Sequence, residues 1–254
     1  MQPIQGAQRV GISYRGRFPL QGENSAEFPS AGLVVYWPLS EASGTRLPTL
    51  WTGAGGAADL IDTNTVGSVS DHPSGSGTSA LFVEANSEKL QSTAHDAALD
   101  FDGASDVFTV SGWMRPDADY GFGELLAVQI QSWSVLLSTG TGGSTVAAKF
   151  DSFGQGNLQT PNQTTVLGTT WHHVCTRYDN NSGACAVFLD GAKTTGTIST
   201  PLNPRSDPVR MSQTSAVTGF SAALCEVAVW DRLLTDAEVA DVYNGGAGTY
   251  YEAP

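Results

Sequence analysis

From Gly32 onward, short apolar or alternating runs are separated by clusters of Gly, Asn, Asp, Ser and Thr. Such runs are typical of β-strands, because alternate side chains of a strand face opposite sides of a sheet. The pattern predicts strands near 33–38, 79–84, 88–92, 107–115, 124–130, 133–138, 145–150, 171–178, 184–190, 207–212 and 222–230. A succession of strands without helices between them predicts an all-β fold, built as a two-sheet antiparallel sandwich.

One segment near the C-terminus carries the signals of a helix. Thr235 can cap the first turn, and Glu238, three residues later, can bond back to the amide of the cap. An apolar stripe follows at Val239, Val242 and Tyr243, and Gly245 ends the pattern. The sequence therefore predicts one short C-terminal helix of about ten residues.

Two segments between the predicted strands are rich in glycine. Residues 52–78 are predicted to form a long Gly- and Ser-rich loop region, and 139–144 (TGTGGS) a hairpin turn. Loops of this length often carry binding or contact functions.

Residues 1–30 lack a sustained hydrophobic period and are predicted to be an extended N-terminal arm, with the sandwich over 31–254. Residues 1–20 hold three arginines and no acid, a formal +3 that leaves −16 for the rest of the chain. The arm can pack on its own domain or on a partner. For the second alternative, the predicted contact residues are Arg9, Ile12, Tyr14, Arg15, Arg17 and Phe18.

The composition of the chain narrows the class of partner. Of 254 residues, 40 % are hydrophobic and only 15 % are charged, with a net charge of −13 and a pI near 4.5. An acidic body repels polyanions, so we expect no nucleic-acid partner. The sequence shows neither a secretory leader nor an apolar run of membrane-spanning length. We therefore expect a location on a virion or extracellular surface without membrane insertion.

Several segments, taken in order over about 33–246, resemble the laminin-G-like branch of the concanavalin A-like lectin/glucanase superfamily. They are LVVYWPL (33–39), ALFV (80–83), FTVSGWMRP (108–116), WHHV (171–174) leading to VFLDG (187–191), and EVAVW (226–230) followed by LLTDAEV (233–239). The resemblance implies a concanavalin A-like jelly-roll sandwich. It also implies that glycans and structural calcium are the ligands to consider.

Glycoside hydrolysis requires two carboxylates that flank one glycosidic bond, and glucanases of this superfamily place them at alternating positions of one strand. The equivalent segment here, CEVAV (225–229), contains Glu226 alone. No nucleophile elbow, phosphate loop or zinc-binding helix motif is present. We therefore expect no enzymatic activity and no catalytic residue, with glycoside hydrolase as the weakest alternative.

The aromatic residues divide into two groups. Trp113, Trp171 and Trp230 lie in strand-like runs and are predicted to pack in the core. Beside glycine-rich turns lie Tyr120, Phe122 and Trp133, which are the candidates for exposed rings that contact a glycan.

Histidine, cysteine and aspartate give no defined metal site. His172 and His173 are adjacent on a strand and face opposite sides, which argues against a shared metal. Cys175 and Cys185 flank a predicted turn and could face one another, either bonded or reduced, and Cys225 is predicted to be buried. We expect no cofactor, although a structural calcium ion remains an alternative, with loop acids at Asp59, Asp62, Asp102 and Asp106.

These observations favour a non-enzymatic surface-structural or recognition module. The leading hypothesis is a virion component, such as a capsid decoration, fibre or tail protein, that assembles through the arm and binds glycans. Self-assembly or a larger viral or surface assembly would then supply the partners. The alternative is a free-standing carbohydrate-binding, lectin-like module of an extracellular protein.

Overall fold

The computed structural model describes residues 26–53, 55–118, 124–130, 133–139, 143–152, 154–202, 207–212 and 221–252, with the backbone alone over 124–130. Its strands are β1 (Leu33–Trp37), β2 (Leu50–Trp51), β3 (Leu60–Thr63), β4 (Gly67–Val69), β5 (Ser79–Phe82), β6 (Lys89–Ser92), β7 (Val107–Pro116), β8 (Glu124–Ile130), β9 (Trp133–Thr139), β10 (Thr145–Ser152), β11 (Gly156–Gln159), β12 (Gln163–Thr164), β13 (His172–Asp179), β14 (Ala184–Leu189), β15 (Ala192–Thr197), β16 (Arg210–Met211) and β17 (Ala222–Trp230).

The strands form two antiparallel sheets. In the first sheet the order is β15-β14-β13-β7-β17-β1-β2, with β5 beside β17 and β4 beside β5. In the second sheet it is β11-β10-β9-β8-β16-β6-β3, with β12 beside β10. Each predicted strand overlaps an observed one, and 124–130 and 222–230 match at both ends. The predicted all-β sandwich is confirmed.

The main core lies between the two sheets, where alternate residues of each strand meet. Phe108 of the first sheet stacks on Trp133 of the second, with ring centroids 4.4 Å apart. The closing strand β17 pairs with the opening strand β1, as the burial of both ends of the domain requires. Trp230 and Trp113 are buried as predicted, whereas Trp171 is only half-buried.

The predicted helix is α1 (Asp236–Tyr243), two residues shorter than expected. Thr235 and Glu238 form the predicted capping box. The left-handed C-cap is Asn244 rather than Gly245. No helix in the described part of the chain is long and apolar enough to cross a membrane.

A second apolar cluster covers the outer face of the first sheet beneath α1. It joins strand residues to Leu234 and Val239, and Phe28 packs against it. The ring of Phe28 lies 5.4 Å from Tyr36 and 5.6 Å from Trp230, whose indole nitrogen donates to the carbonyl of Pro29 at 2.6 Å. Residues 26–30, which the sequence assigned to the arm, therefore pack on the sandwich itself.

The region 52–78, predicted as loop, instead contains β3 and β4. Arg46 links this region to the rest of the sandwich, and its side chain is fully buried. The guanidinium donates to the carbonyls of Gly44, Val66 and Gly67 at 2.7 to 3.1 Å. These carbonyls satisfy a charge that burial would otherwise destabilise.

Candidate functional site

Most of the predicted contact residues lie outside the described part of the chain. These are the arm residues Arg9, Ile12, Tyr14, Arg15, Arg17 and Phe18, and the aromatics Tyr120 and Phe122.

Trp133 is described, and it corrects the prediction of an exposed ring. Its side chain is 1 % exposed, because the first residue of β9 faces the sheet interface rather than the turn before it. The indole lies among Phe101, Phe108 and Phe150, at centroid distances of 4.4 to 6.5 Å. Trp133 therefore stabilises the core and is not available to a glycan.

The two sheets differ in what covers their outer faces. On the first sheet, α1 and the segments that flank it cover the centre of the outer face. Toward β13, β14 and β15 that face is open at a pocket of about 330 Å³, whose lining includes Arg177, Lys193 and Leu233. On the second sheet, the outward residues Ser134, Leu136 and Ala147 of β9 and β10 are at most 1 % exposed. Farther along β10, the outward residues Lys149 and Asp151 are 18 % and 25 % exposed. Toward β3, β6 and β16 the same face opens, and Ile61 is 45 % exposed. The β3–β6–β16 end of this face is therefore accessible.

A shallow groove of about 210 Å³ lies at this open end. Leu60 of β3 and Leu90 of β6 point into the core, so their neighbours point outward. The register places Ile61 opposite Gln91, and Thr63 opposite Lys89. The full lining consists of Ile61, Thr63, Lys89, Gln91, Ser92 and Thr93. Apart from Ile61, these side chains can donate or accept hydrogen bonds.

Gln91 and Arg210 form an ordered polar pair beside the groove. Arg210 lies opposite Gln91 in the ladder of β16 and β6, and its Nε donates to Gln91 Oε1 at 3.3 Å. This bond fixes the amide and leaves its nitrogen as a donor for another acceptor. In the ladder, residue 129 of β8 lies opposite Arg210, Ser134 of β9 lies opposite residue 129, and Asp151 of β10 lies opposite Ser134.

Two cations lie at the groove: Lys89 lines it and Arg210 lies beside it. Arg210 Nη1 lies 3.6 Å from Asp207 Oδ1, and its side chain is 18 % exposed. Lys89 makes no ion pair within the described residues. Glu88, its chain neighbour, is buried and accepts from the amide of Val83 and from Asn86 Nδ2. Lys89 is thus a half-exposed cation whose sequence-adjacent acid is occupied elsewhere.

A second group of titratable residues lies around Glu226, the single carboxylate of the expected catalytic strand. Glu226 occupies a bulge of β17, with φ of 57°, at the point where the neighbour of β17 changes from β5 to β1. Its Oε1 lies 2.9 Å from His72 Nε2, and among the described residues its Oε2 has no hydrogen-bond partner. His72 is 7 % exposed and packs against the ring of Tyr250 at 4.9 Å.

Burial controls the protonation of this pair. It raises the pKa of Glu226 to about 8. It also lowers the pKa of His72, although Asp71 opposes that shift. Both shifts favour the uncharged forms, so near neutral pH a neutral carboxyl is hydrogen-bonded to a neutral imidazole. The partner of Glu226 is an imidazole, whereas glycoside hydrolysis uses two carboxylates.

Asp71, next to His72, belongs to a separate network. Arg115 bonds the carboxylates of both Asp71 and Asp117, and lies over the ring of Trp171 at 5.5 Å. The indole nitrogen of Trp171 donates to Asp71 Oδ2 at 3.2 Å. These contacts fix the end of the sandwich and account for the half-buried position of Trp171.

The adjacent histidines have separate partners, as their opposite directions predicted. His172 bonds Asp190 at 2.7 Å and Thr165 at 2.9 Å. His173 bonds Ser111 at 2.7 Å and packs on Trp113. Burial lowers the pKa of His173 to about 4. Both side chains therefore have structural partners.

The cysteine arrangement differs from the facing pair that the sequence allowed. Tyr178 pairs with Cys185, and Cys175 pairs with Phe188. The offset of the two cysteines places them on opposite faces of the sheet, one in each apolar cluster. All three cysteines are reduced and buried, and burial raises the pKa of Cys175 and Cys185 to about 12.

Of the loop acids considered for calcium, two bond nearby backbone. Asp62 Oδ2 accepts from the amide of Gly44 at 3.2 Å, and Asp106 Oδ2 from that of Gly103 at 2.8 Å. No group of three or more His, Cys, Asp or Glu side chains converges in the described residues.

Comparison with known proteins gives one family and several similar folds. A laminin-G-type family model of the concanavalin A-like lectin/glucanases superfamily matches residues 84–240. No curated protein matches the chain in sequence.

Among solved structures, Trypanosoma rangeli sialidase in complex with the inhibitor DANA has a TM-score of 0.61 at 15 % identity, and the match covers 87 % of this chain and 34 % of the sialidase chain. Domain 4 of AbnA, a GH43 extracellular arabinanase from Geobacillus stearothermophilus, in complex with arabinotriose, has a TM-score of 0.55 at 13 % identity, with 82 % and 97 % covered. The binding domain of botulinum neurotoxin DC in complex with SialylT has a TM-score of 0.57 at 9 % identity, with 85 % and 52 % covered. The chain spans about a third of the sialidase that it matches, and these likenesses show the fold alone.

Proposed function

The chain belongs to the concanavalin A-like lectin/glucanase superfamily, and on that premise we propose that it is a non-catalytic module that binds glycans. The proposed site is the groove between β3 and β6. The observation that carries the proposal is the ordered pair of Gln91 and Arg210 beside a groove lined by hydroxyl, amide and ammonium groups. Sugar hydroxyls need donors and acceptors held in fixed positions, and two adjacent strands provide them.

Two solved structures of similar fold support this choice of ligand class. Domain 4 of AbnA is in complex with arabinotriose, and the botulinum neurotoxin binding domain is in complex with SialylT. The fold is thus compatible with saccharide binding. The position of the proposed site rests on the residues of the groove itself.

The test is a glycan panel measured by calorimetry with two glutamine variants. We expect Gln91→Ala to weaken binding by up to about tenfold, the effect of one lost hydrogen bond. Gln159→Ala is the matched control, because Gln159 lies on β11 at the opposite edge of the same sheet and is exposed. Absence of glycan binding, or equal losses in both variants, would contradict the proposed site.

The non-catalytic part of the proposal rests on Glu226. Its side chain is 12 % exposed, and its hydrogen-bond partner within the described residues is the imidazole of His72 rather than the second carboxylate that glycosidic cleavage uses. Incubation with polysaccharides should release no reducing ends. Cleavage that disappears in Glu226→Gln, with folding retained, would show the module to be an enzyme.

We also propose that residues 1–25 attach the module to a second copy or to a larger assembly, such as a virion surface. Residues 1–20 carry a formal +3 against −16 on the remainder of the chain, so the arm of one molecule is attracted to the body of another. Because residues 26–30 pack on the sandwich of their own chain, the proposed intermolecular contacts are made by residues 1–25.

A further inference from the structure

We infer that the groove between β3 and β6 selects saccharides that carry a carboxylate, such as uronic or sialic acids. This inference rests on the proposed glycan-binding function and names its ligand class. Lys89 and Gln91 are successive outward residues of β6, and Arg210 lies directly opposite Gln91. Two cations therefore flank one amide on the same face of the sheet, with Lys89 in the groove and the largely buried Arg210 beside it.

Hydrogen-bond donors outnumber acceptors in this groove. None of the six lining residues is acidic. The hydroxyl of Ser92 is already engaged, since it donates to the carbonyl of Ala94 at 2.8 Å and accepts from the amide of Val209 at 3.0 Å. Gln91 Oε1 is occupied by Arg210. What remains is the ammonium of Lys89, the amide nitrogen of Gln91 and two threonine hydroxyls, a set that complements an acceptor-rich ligand.

The acids near the groove are directed elsewhere. Asp62 alternates with Ile61 and Thr63 along β3, and its Oδ2 accepts from the amide of Gly44. The carboxylate of Glu88 is bonded to Val83 and Asn86. Asp207 lies 3.6 Å from Arg210. Lys89 is therefore the cation available to a ligand carboxylate.

The overall net charge of −13 opposes any anionic ligand, but its reach is limited. At about 0.15 M ionic strength, exposed charges more than about 8 Å apart are largely screened. Contacts within the groove then outweigh the distant acids. A charge-assisted hydrogen bond to Lys89 corresponds to roughly tenfold or more in affinity.

The experiment compares trigalacturonic acid with its methyl ester, which keeps the sugar backbone and removes the charge. We expect the acid to bind at least about tenfold more tightly, and Lys89→Gln to remove most of that preference. Lys89→Arg should preserve it. Lys193→Gln is the control, because it causes the same change in net charge at an exposed lysine of the first sheet, paired with Asp236.

The outcomes separate this inference from the proposed function. Equal binding of acid and ester overturns carboxylate selection and leaves glycan binding standing. An equal loss in Lys89→Gln and Lys193→Gln overturns the local role of Lys89. A sulfated trisaccharide that binds as tightly as the carboxylated one shows that the groove recognises charge alone and overturns the ligand class. If neither probe nor any neutral glycan binds, the proposed function fails and the inference fails with it.

Discussion

His72 Nε2 lies 2.9 Å from Glu226 Oε1, although 154 positions separate the two residues in the chain. The contact joins the loop before β5 to the bulge of β17, and Tyr250 from the C-terminal segment covers the imidazole. Three distant parts of the sequence therefore meet at one buried hydrogen bond. Because both groups are held in their uncharged forms, the contact depends on pH.

The first prediction concerns the pH dependence of stability in Glu226→Gln. Burial raises the pKa of Glu226 from 4.5 to about 8, so the native state holds a proton that the unfolded state releases. The stabilisation is complete below about pH 4.5 and is lost as the pH rises toward 8. Glutamine imitates the protonated carboxyl and does not titrate. We expect the Tm of the variant, relative to the natural protein, to increase steadily from pH 5 to pH 8.

His72 acts in the opposite direction, because its lowered pKa removes stability as the pH falls below its ordinary value of about 6.5. Above about pH 6.5 the imidazole of His72 is uncharged in the folded and in the unfolded state, so the change between pH 6.5 and pH 8 reports the titration of Glu226. Glu84→Gln is a suitable control, since Glu84 is exposed. A difference in Tm that does not vary with pH in Glu226→Gln would contradict the raised pKa.

The second prediction concerns Trp133, whose burial conflicts with a role in sugar contact. Trp133→Ala should lower the free energy of unfolding by about 3–5 kcal/mol, because it leaves a cavity among Phe101, Phe108 and Phe150. Urea unfolding measures this loss. Val166→Ala is the control, since that side chain is 61 % exposed.

Trp133→Phe separates stability from binding. It should keep the protein folded with glycan affinity unchanged. Normal stability together with reduced glycan affinity in this variant would place Trp133 at a binding site after all.

The strands that the sequence predicted are those with strong hydrophobic contrast. β7, β13 and β17 carry many buried apolar residues and were predicted almost to their ends. By contrast, β4 (GSV) and β15 (AKTTGT) lack such contrast and form because a neighbouring strand offers hydrogen bonds. Tertiary context, rather than local pattern, determines strands of this kind.

The sequence did not reveal the candidate groove, and none of its lining residues was predicted to contact a glycan. The alternation in KLQS (89–92) placed Lys89 and Gln91 on one face, and Arg210 lay in another predicted strand. Their meeting could not be predicted, because it depends on β16 pairing with β6 across 119 positions. The disulfide alternative failed for a related reason: the turn after β13 sets the register, and that register places Cys175 opposite Phe188.

The last prediction concerns where the attachment arm ends. Phe28 packs on Tyr36, Trp230 and Tyr251, and the carbonyl of Pro29 accepts from Trp230. Deletion of residues 1–30 should therefore expose the second apolar cluster and leave a buried indole donor unpaired, lowering Tm measurably. Deletion of residues 1–25 retains all of these contacts and should leave Tm unchanged.

The same deletion tests assembly through the arm. If residues 1–25 mediate assembly, their deletion should reduce the mass of the assembly measured in solution. Replacement of Arg9, Arg15 and Arg17 by Glu should have the same effect at low salt. Normal assembly of the 1–25 deletion would refute attachment through the arm, and unfolding of that deletion would show that the arm belongs to the core.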